Sequence, residues 1–228
     1  MALRHVREVF QGNRYPGRSV IWARTLDGVP CGGYLLTGRS PASRGRRLRL
    51  DGDERLLVEP DVQATHDPLR HYVAAAADDP WLVFGNGEQV ATVAERLRDG
   101  RAVAEALGDL DYEPDPPIFT PRLTVVVDVR APAGAWFGAA RRSGSGRAAT
   151  NLLTLSVRDL APGDVVLMTT YESDGEHVAT GQPFVEAVTG AADHQGLLDE
   201  VWAALDPGFR VAAATFVPGR LGAAAVRH

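Results

Sequence analysis

SVIWARTLDGVPCGGYLLTG, residues 19–38, carries the first architectural signal: two apolar runs, SVIWAR (19–24) and GGYLLTG (32–38), flank TLDGVP, whose Asp27-Gly28 pair marks a hairpin turn. Two strands so close in the chain pair antiparallel. RLRL (47–50), LLVEP (56–60) and WLVFG (81–85) continue the strand-like texture. RLTVVVDVR (122–130), NLLTLSVRD (151–159) and DVVLMTTYE (164–172) are rich in β-branched residues, and FRVAAATFV (209–217) reads as a final strand. The period changes twice. Val93, Leu97, Val103 and Leu107 are spaced for one face of a helix spanning Val90 to Leu107, with Gly100 placed to bend or divide it, and GLLDEVWAAL (196–205) reads as a second helix. RRSGSGRAATN (141–151), the one low-complexity segment, reads as a mobile hairpin tip or lid. Many strands, few helices and hairpin-length connections predict an α+β protein with large antiparallel sheets.

The 228 residues suit one large domain or two small ones, and 45% hydrophobic with 23% charged residues is a globular balance. No apolar run approaches the length of about 18 residues that a membrane helix needs. The start, MALRHVREVF, carries charges where a signal peptide would be apolar. The expectation is a cytoplasmic protein with no membrane partner. Cys31 is a lone cysteine and cannot form an internal disulfide; Cys31 and the histidines His5, His66, His71, His177, His194 and His228 show no zinc-like spacing, so no metal is expected. A net charge of -5 speaks against a nucleic-acid-binding surface. Against that acidic balance, the density of Arg39, Arg44, Arg46, Arg47 and Arg49 suits a small anionic ligand.

Three segments carry candidate chemistry. RYPGRSVIWARTLDG (14–28) puts Arg18 at a strand mouth beside Gly17, where a ligand can approach the backbone, although a plain surface turn gives the same pattern. GRSPASRGRR (38–47) follows a strand with arginines and the hydroxyls of Ser40 and Ser43. Planar guanidinium groups grip phosphate oxygens in pairs, and serine hydroxyls complete such sites; a solvated basic loop is the alternative. DYEPDPPIFTPR (111–122) holds Asp111, Glu113 and Asp115 beside Tyr112 in a proline-stiffened stretch, as either fixed acid-base groups or an acidic surface loop.

YPGR (15–18), GRS-x-x-SR-x-R (38–46), DP (67–68), NG before a helix (86–87), DYE-x-D...TPR (111–122) and TYE (170–172) stand in one order, and together they resemble the archaeal-type IMP cyclohydrolases from about Tyr15 to Glu172. The resemblance implies a single domain over residues 1–228: a four-layer αββα sandwich of antiparallel sheets, similar to the N-terminal-nucleophile hydrolases but without their self-processing nucleophile. It implies a phosphoribosyl nucleotide as substrate, no cofactor, and dehydrative closure of a formamido-imidazole-carboxamide ribonucleotide to IMP in purine biosynthesis. Carried over by motif, Tyr72, Glu113 and Arg44 are the catalytic residues. Arg18, Arg39, Ser40, Ser43, Arg46, Asn86, Gly87, Thr120 and Arg122 bind substrate, with Arg47 a further candidate for the phosphate. Glu113 would orient the carboxamide or move its proton, and Tyr72 would donate to the developing formyl oxyanion.

Two positions depart from the family pattern. Val73 follows Tyr72 where the family has asparagine, and Ala91 stands where it has aspartate after the NG pair. They leave room for an analogous azole substrate, such as a pyrazole ribotide in nucleoside-analogue biosynthesis, or for a nucleotide-binding protein without turnover. The resemblance and the many strands are compatible with a homo-oligomer, for which no residue pattern speaks directly.

Overall fold

The computed structural model describes residues 2–62, 67–145, 148–180 and 184–228. His66 and the Gly146-Arg147 tip of the low-complexity segment lie outside the described residues. The opening hairpin forms as Arg18–Arg24 and Pro30–Thr37, with Arg18 opposite Leu36 and Arg24 opposite Pro30. Around it the first sheet runs in the order Arg4–His5, Val185–Val188, Asp164–Thr169, Arg18–Arg24, Pro30–Thr37, Arg210–Phe216, Ala225–Arg227. The second runs Thr150–Arg158, Gly134–Arg142, Arg122–Asp128, Trp81–Gly85, Tyr72–Asp78, Arg55–Pro60, Arg46–Asp51, so that every neighbour in space is a neighbour in sequence. All pairings within these two sheets are antiparallel except Arg4–His5 with Val185–Val188.

Strand alternation sorts the apolar residues into three layers. Val20 and Trp22 turn toward the second sheet and join Tyr34, Leu36, Phe84, Phe137 and Phe216 in the core between the sheets. Their neighbours Ile21 and Ala23 turn the other way, onto the helices Val6–Gly12 and His194–Ala204 through Phe10, Leu197 and Val201. On the outer face of the second sheet, Val83 and Val126 meet Val90, Val93 and Leu97 of the helix Gln89–Arg98. Three apolar layers separate four structural ones, an αββα sandwich. Each large side chain buried this way contributes on the order of 1.5–3 kcal/mol. No helix among the described residues is long and apolar enough to cross a membrane.

The helix expected over Val90 to Leu107 is two, Gln89–Arg98 and Val103–Ala106, with Gly100 between them. Two strands in the middle of the second sheet were not legible. Tyr72–Asp78 is alanine-rich, and Gly134–Arg142 mixes glycine and alanine with two aromatics. Small residues carry little β-preference, and both segments hold their place by being paired on either side. Arg142 lies opposite Thr150, so the low-complexity segment does close a hairpin.

Candidate functional site

Polar side chains replace the apolar core at one end of the sandwich, where several strands begin or finish. Arg18 is the first residue of its strand and lies on the same face as Val20 and Trp22, pointing between the sheets. Gly17 makes this possible. Its φ is +71°, and a Cβ there would stand 2.2 Å from Thr170 Oγ1 and 2.4 Å from the Tyr171 ring, so the YPGR turn presses against the TYE segment. Arg18 N donates to Thr170 Oγ1 at 3.0 Å, and the Gly17 carbonyl accepts from both N and Oγ1 of Thr37 at 2.8 Å. From the second sheet, Arg46 and Tyr72 open their own strands on the inward face shared with Leu48 and Ala74.

Glu113 enters this space from the loop between the helices and the Arg122–Asp128 strand, its backbone N bonded to the Thr120 carbonyl at 2.8 Å. Arg18 Nη2 donates to Glu113 Oε1 at 2.5 Å, and Asn86 Nδ2 stands 3.4 Å from the same oxygen. Glu113 Oε2 receives no hydrogen bond from the described residues. Burial pushes the Glu113 carboxyl above its ordinary value, with the Arg18 guanidinium acting against it. For Arg18 the balance falls the other way: burial alone would lower it, but Glu113 and the oxygens of Tyr72, Tyr171 and Tyr34 hold it well above its ordinary value. Asn86 is fixed from three sides, giving to the Pro121 carbonyl at 2.9 Å and accepting from Leu123 N at 2.5 Å and Gln89 Nε2 at 3.3 Å. Gly87 sits beside the pair, and a Cβ there would fall 3.6 Å from Glu113 Oε1.

Two hydrogen-bond chains flank the ion pair. Tyr34 and Tyr72, from opposite sheets, bring their hydroxyls to 2.6 Å. Burial, with Tyr72 beside it, pushes the Tyr34 phenol well above its ordinary value. On the other side Thr120 Oγ1 donates to Asp115 Oδ2 at 2.5 Å and meets the Tyr171 hydroxyl at 2.5 Å. The single threonine proton is given to the Asp115 carboxylate oxygen, so Tyr171 donates to Thr120. Tyr171 also stacks on Tyr15, with centroids 5.6 Å apart.

The arginine-rich loop divides by position. Pro41–Arg44 is a four-residue helix capped by Ser40, whose Oγ accepts from Ser43 N at 3.1 Å. Arg46 is buried, its Nε on the Ser43 carbonyl at 2.8 Å and its Nη2 on the Thr37 carbonyl at 3.2 Å, and burial lowers its guanidinium from the ordinary value. The strand's alternation sends Arg47 and Arg49 outward, where both pair with Glu59, at 2.7 Å and 2.8 Å. Of the two arginines offered in support of the phosphate, Arg46 is therefore the one that reaches the cluster and Arg47 is not. Arg39 is exposed, lying 4.8 Å over the Tyr15 ring, and Arg44 is exposed at the end of its helix. Arg122 bonds Glu88 at 2.8 Å.

Of the residues expected from sequence, the fold thus gathers Arg18, Arg46, Tyr72, Asn86, Gly87, Glu113 and Thr120, and leaves Arg39, Ser40, Ser43 and Arg44 on an adjoining rim. Sequence reasoning missed Tyr34, Tyr171 and Gln89 as members. Gln89 did have a signal, because Gln89, Val93 and Leu97 recur every four residues on the buried face of the helix. The two departures lie elsewhere: Ala91 is on the exposed side of that helix, and Val73 packs toward the outer helix layer, opposite to Tyr72. A cleft of about 350 Å³ lined by Leu57, Glu59, His71, Tyr72 and Val73 adjoins the cluster. A second, of about 280 Å³ between Trp22, Arg24, Pro132 and Leu160, lies at the opposite strand ends and gathers none of these groups.

Over residues 15–218 the sequence matches the family described as IMP cyclohydrolase-like protein. It is 31% identical over 118 residues to an IMP cyclohydrolase of Methanopyrus kandleri, an alignment covering 50% of this chain and 59% of that protein. It is 32% identical over 121 residues to an IMP cyclohydrolase of Haloarcula marismortui, covering 51% and 56%. The matched region spans little more than half the length of either relative.

Proposed function

The chain belongs to the IMP cyclohydrolase-like family, and from that membership we propose that it closes the pyrimidine ring of a formamido-imidazole-carboxamide ribonucleotide to give IMP and water. The observation that carries the reading is the buried Arg18–Glu113 pair beside Asn86 and Tyr72, at a cluster bordered by the arginine loop. In the reaction the carboxamide nitrogen bonds to the formyl carbon, the formyl C–O bond breaks, and one proton from the carboxamide nitrogen and one from the formamido nitrogen leave with that oxygen as water. An amide nitrogen is a weak nucleophile, so alignment matters most; well-oriented intramolecular reactions reach effective molarities of about 10⁵–10⁸ M. Glu113 Oε2 is the acceptor for the carboxamide N–H, orienting it or taking its proton. Tyr72 donates to the formyl oxygen as negative charge develops there. The rim arginines Arg39 and Arg44, with Ser40 and Ser43, hold the phosphate, while Arg46 fixes the loop and adds positive charge behind it. The reading places this chemistry in the cytoplasm and requires no cofactor.

The pyrazole-type substrate drew its support from Val73 and Ala91. Ala91 is exposed on its helix, away from the cluster, and Val73 packs toward the outer layer while also bordering the adjoining cleft, so neither contacts the Arg18–Glu113 pair on which the imidazole reading rests. The test is to offer the purified protein the formylated imidazole ribotide and its pyrazole isomer separately and follow ring closure by absorbance. Turnover of the first alone is expected. Turnover of the second alone, or binding of IMP without turnover, would replace the proposal with the corresponding alternative.

A further inference from the structure

Tyr34 has no part in the reaction just proposed, yet its hydroxyl is the group that touches Tyr72. Its side chain is fully buried on the Pro30–Thr37 strand, and among the described residues its hydroxyl has one hydrogen-bond partner, the Tyr72 hydroxyl at 2.6 Å. Each phenol carries one proton, and a buried donor needs an acceptor. If Tyr72 donated, the Tyr34 proton would be left buried and unpaired, the costly arrangement. If Tyr34 donates, both groups are satisfied, because Tyr72 belongs to the partly open end of the cluster and adjoins the cleft lined by His71 and Val73. Its own proton is then free to point at a ligand.

We infer that Tyr34 is a positioning residue, whose hydroxyl donates to Tyr72 and thereby commits the Tyr72 proton to the bound substrate. The inference rests on the reading of Tyr72 as donor to the formyl oxygen. No bond is made or broken at either phenol: Tyr34 donates to Tyr72, Tyr72 donates to the developing oxyanion, and polarisation along the chain strengthens the second bond as charge builds. The two phenols come from opposite sheets, so this chain forms only when the sandwich is closed at this end.

The experiment is a double-mutant cycle of Tyr34→Phe, Tyr72→Phe and the pair, which keeps every ring in place. With the formylated ribotide, Tyr34→Phe is expected to lower kcat about tenfold, the worth of one neutral hydrogen bond of about 1.4 kcal/mol, with KM unchanged. In the Tyr72→Phe background it should have no further effect, since its action passes through Tyr72. Additive losses, or wild-type kcat in Tyr34→Phe, would overturn the inference. Thermal denaturation of the same variants without ligand decides the donor direction even if the wild type turns nothing over. Tyr72→Phe should lower Tm more than Tyr34→Phe, by leaving the Tyr34 hydroxyl orphaned, and the double variant should recover part of that loss. Equal losses in the two single variants, or a gain in Tm for Tyr34→Phe, would overturn the assigned donor direction.

Discussion

Arg18 and Glu113 meet at 2.5 Å with side chains only 10% and 3% exposed, so neither charge has water to fall back on. Removing one partner from such a pair strands the other. Glu113→Ala should therefore cost about 3–5 kcal/mol of stability. Glu113→Gln should cost distinctly less, because its carbonyl still accepts from Arg18, while turnover falls in both. Urea denaturation of the two variants makes the comparison, and equal losses would mean that the carboxylate does not hold the arginine.

Glu113 also sets a pH dependence. Its carboxyl lies above the ordinary value because it is buried, with Arg18 opposing. A group whose native midpoint exceeds its unfolded one binds its proton more tightly when folded, so it adds stability at acid pH that is lost as pH rises through the native midpoint. The stability of the wild type relative to Glu113→Gln should decline from about pH 4 upward. Denaturation midpoints of both proteins across that range report the sign directly, and a widening difference would contradict the assignment.

The Tyr171, Thr120 and Asp115 chain has a direction, and the direction predicts an asymmetry. Tyr171→Phe removes a terminal donor and leaves Thr120 bonded to Asp115, a loss of about 0.5–1.5 kcal/mol. Thr120→Val breaks both links and leaves the Tyr171 hydroxyl and an Asp115 oxygen without Thr120 Oγ1, which should cost more. Chemical denaturation ranks the two. The opposite order would reverse the chain.

Gly17→Ala tests the turn beneath Arg18. The new methyl group would be placed within 2.4 Å of Thr170 and Tyr171 at a backbone φ of +71°. Overpacking of this kind costs about 1–3 kcal/mol, to which the strained backbone adds. Calorimetry should show a clear fall in Tm together with loss of nucleotide affinity, since Arg18 moves with the turn.

The arginines of the loop should separate just as sharply. Arg47→Ala disturbs an exposed pair with Glu59 and Arg49→Ala exposed pairs with Glu59 and Asp51; each should change stability by less than about 1 kcal/mol and leave nucleotide affinity intact. Arg46→Ala removes the side chain that ties the loop to Ser43 and Thr37, and should weaken affinity and lower stability together. Calorimetric titration with IMP distinguishes them.

The opening hairpin, the β-branched strands and the helix break at Gly100 were legible because each depends on local preference and period. The Tyr72–Asp78 strand was not, because its alanines become a strand only between partners on both sides. The site divided in the same way. Arginine density and the proline-stiffened acidic segment could be read as candidates, but separating Arg46 from Arg47 requires knowing the strand's phase, and Arg44 ends a short helix that sequence presented as loop. Tyr34 had no distinguishing neighbours, and Tyr171, although inside the TYE motif, carried nothing that marked it as a member of the site. Their membership follows from which strand ends the two sheets bring together, a matter of long-range pairing. The same long-range information changes the meaning of Val73 and Ala91, which look like altered contacts in sequence and face away from the cluster in space.

The links across the cluster each have one foot on either side of the sandwich: Tyr34 with Tyr72, Thr37 with Arg46, and Arg18 with the Glu113 loop. The gap they bridge is set in the core, where Phe84 meets Phe216 edge to face at 5.1 Å. The site is in effect a calliper whose opening is fixed by aromatic rings with no polar atom of their own. A misplacement of about 1 Å can cost a hundredfold in rate, so trimming one of those rings would detune the chemistry without touching any group that performs it.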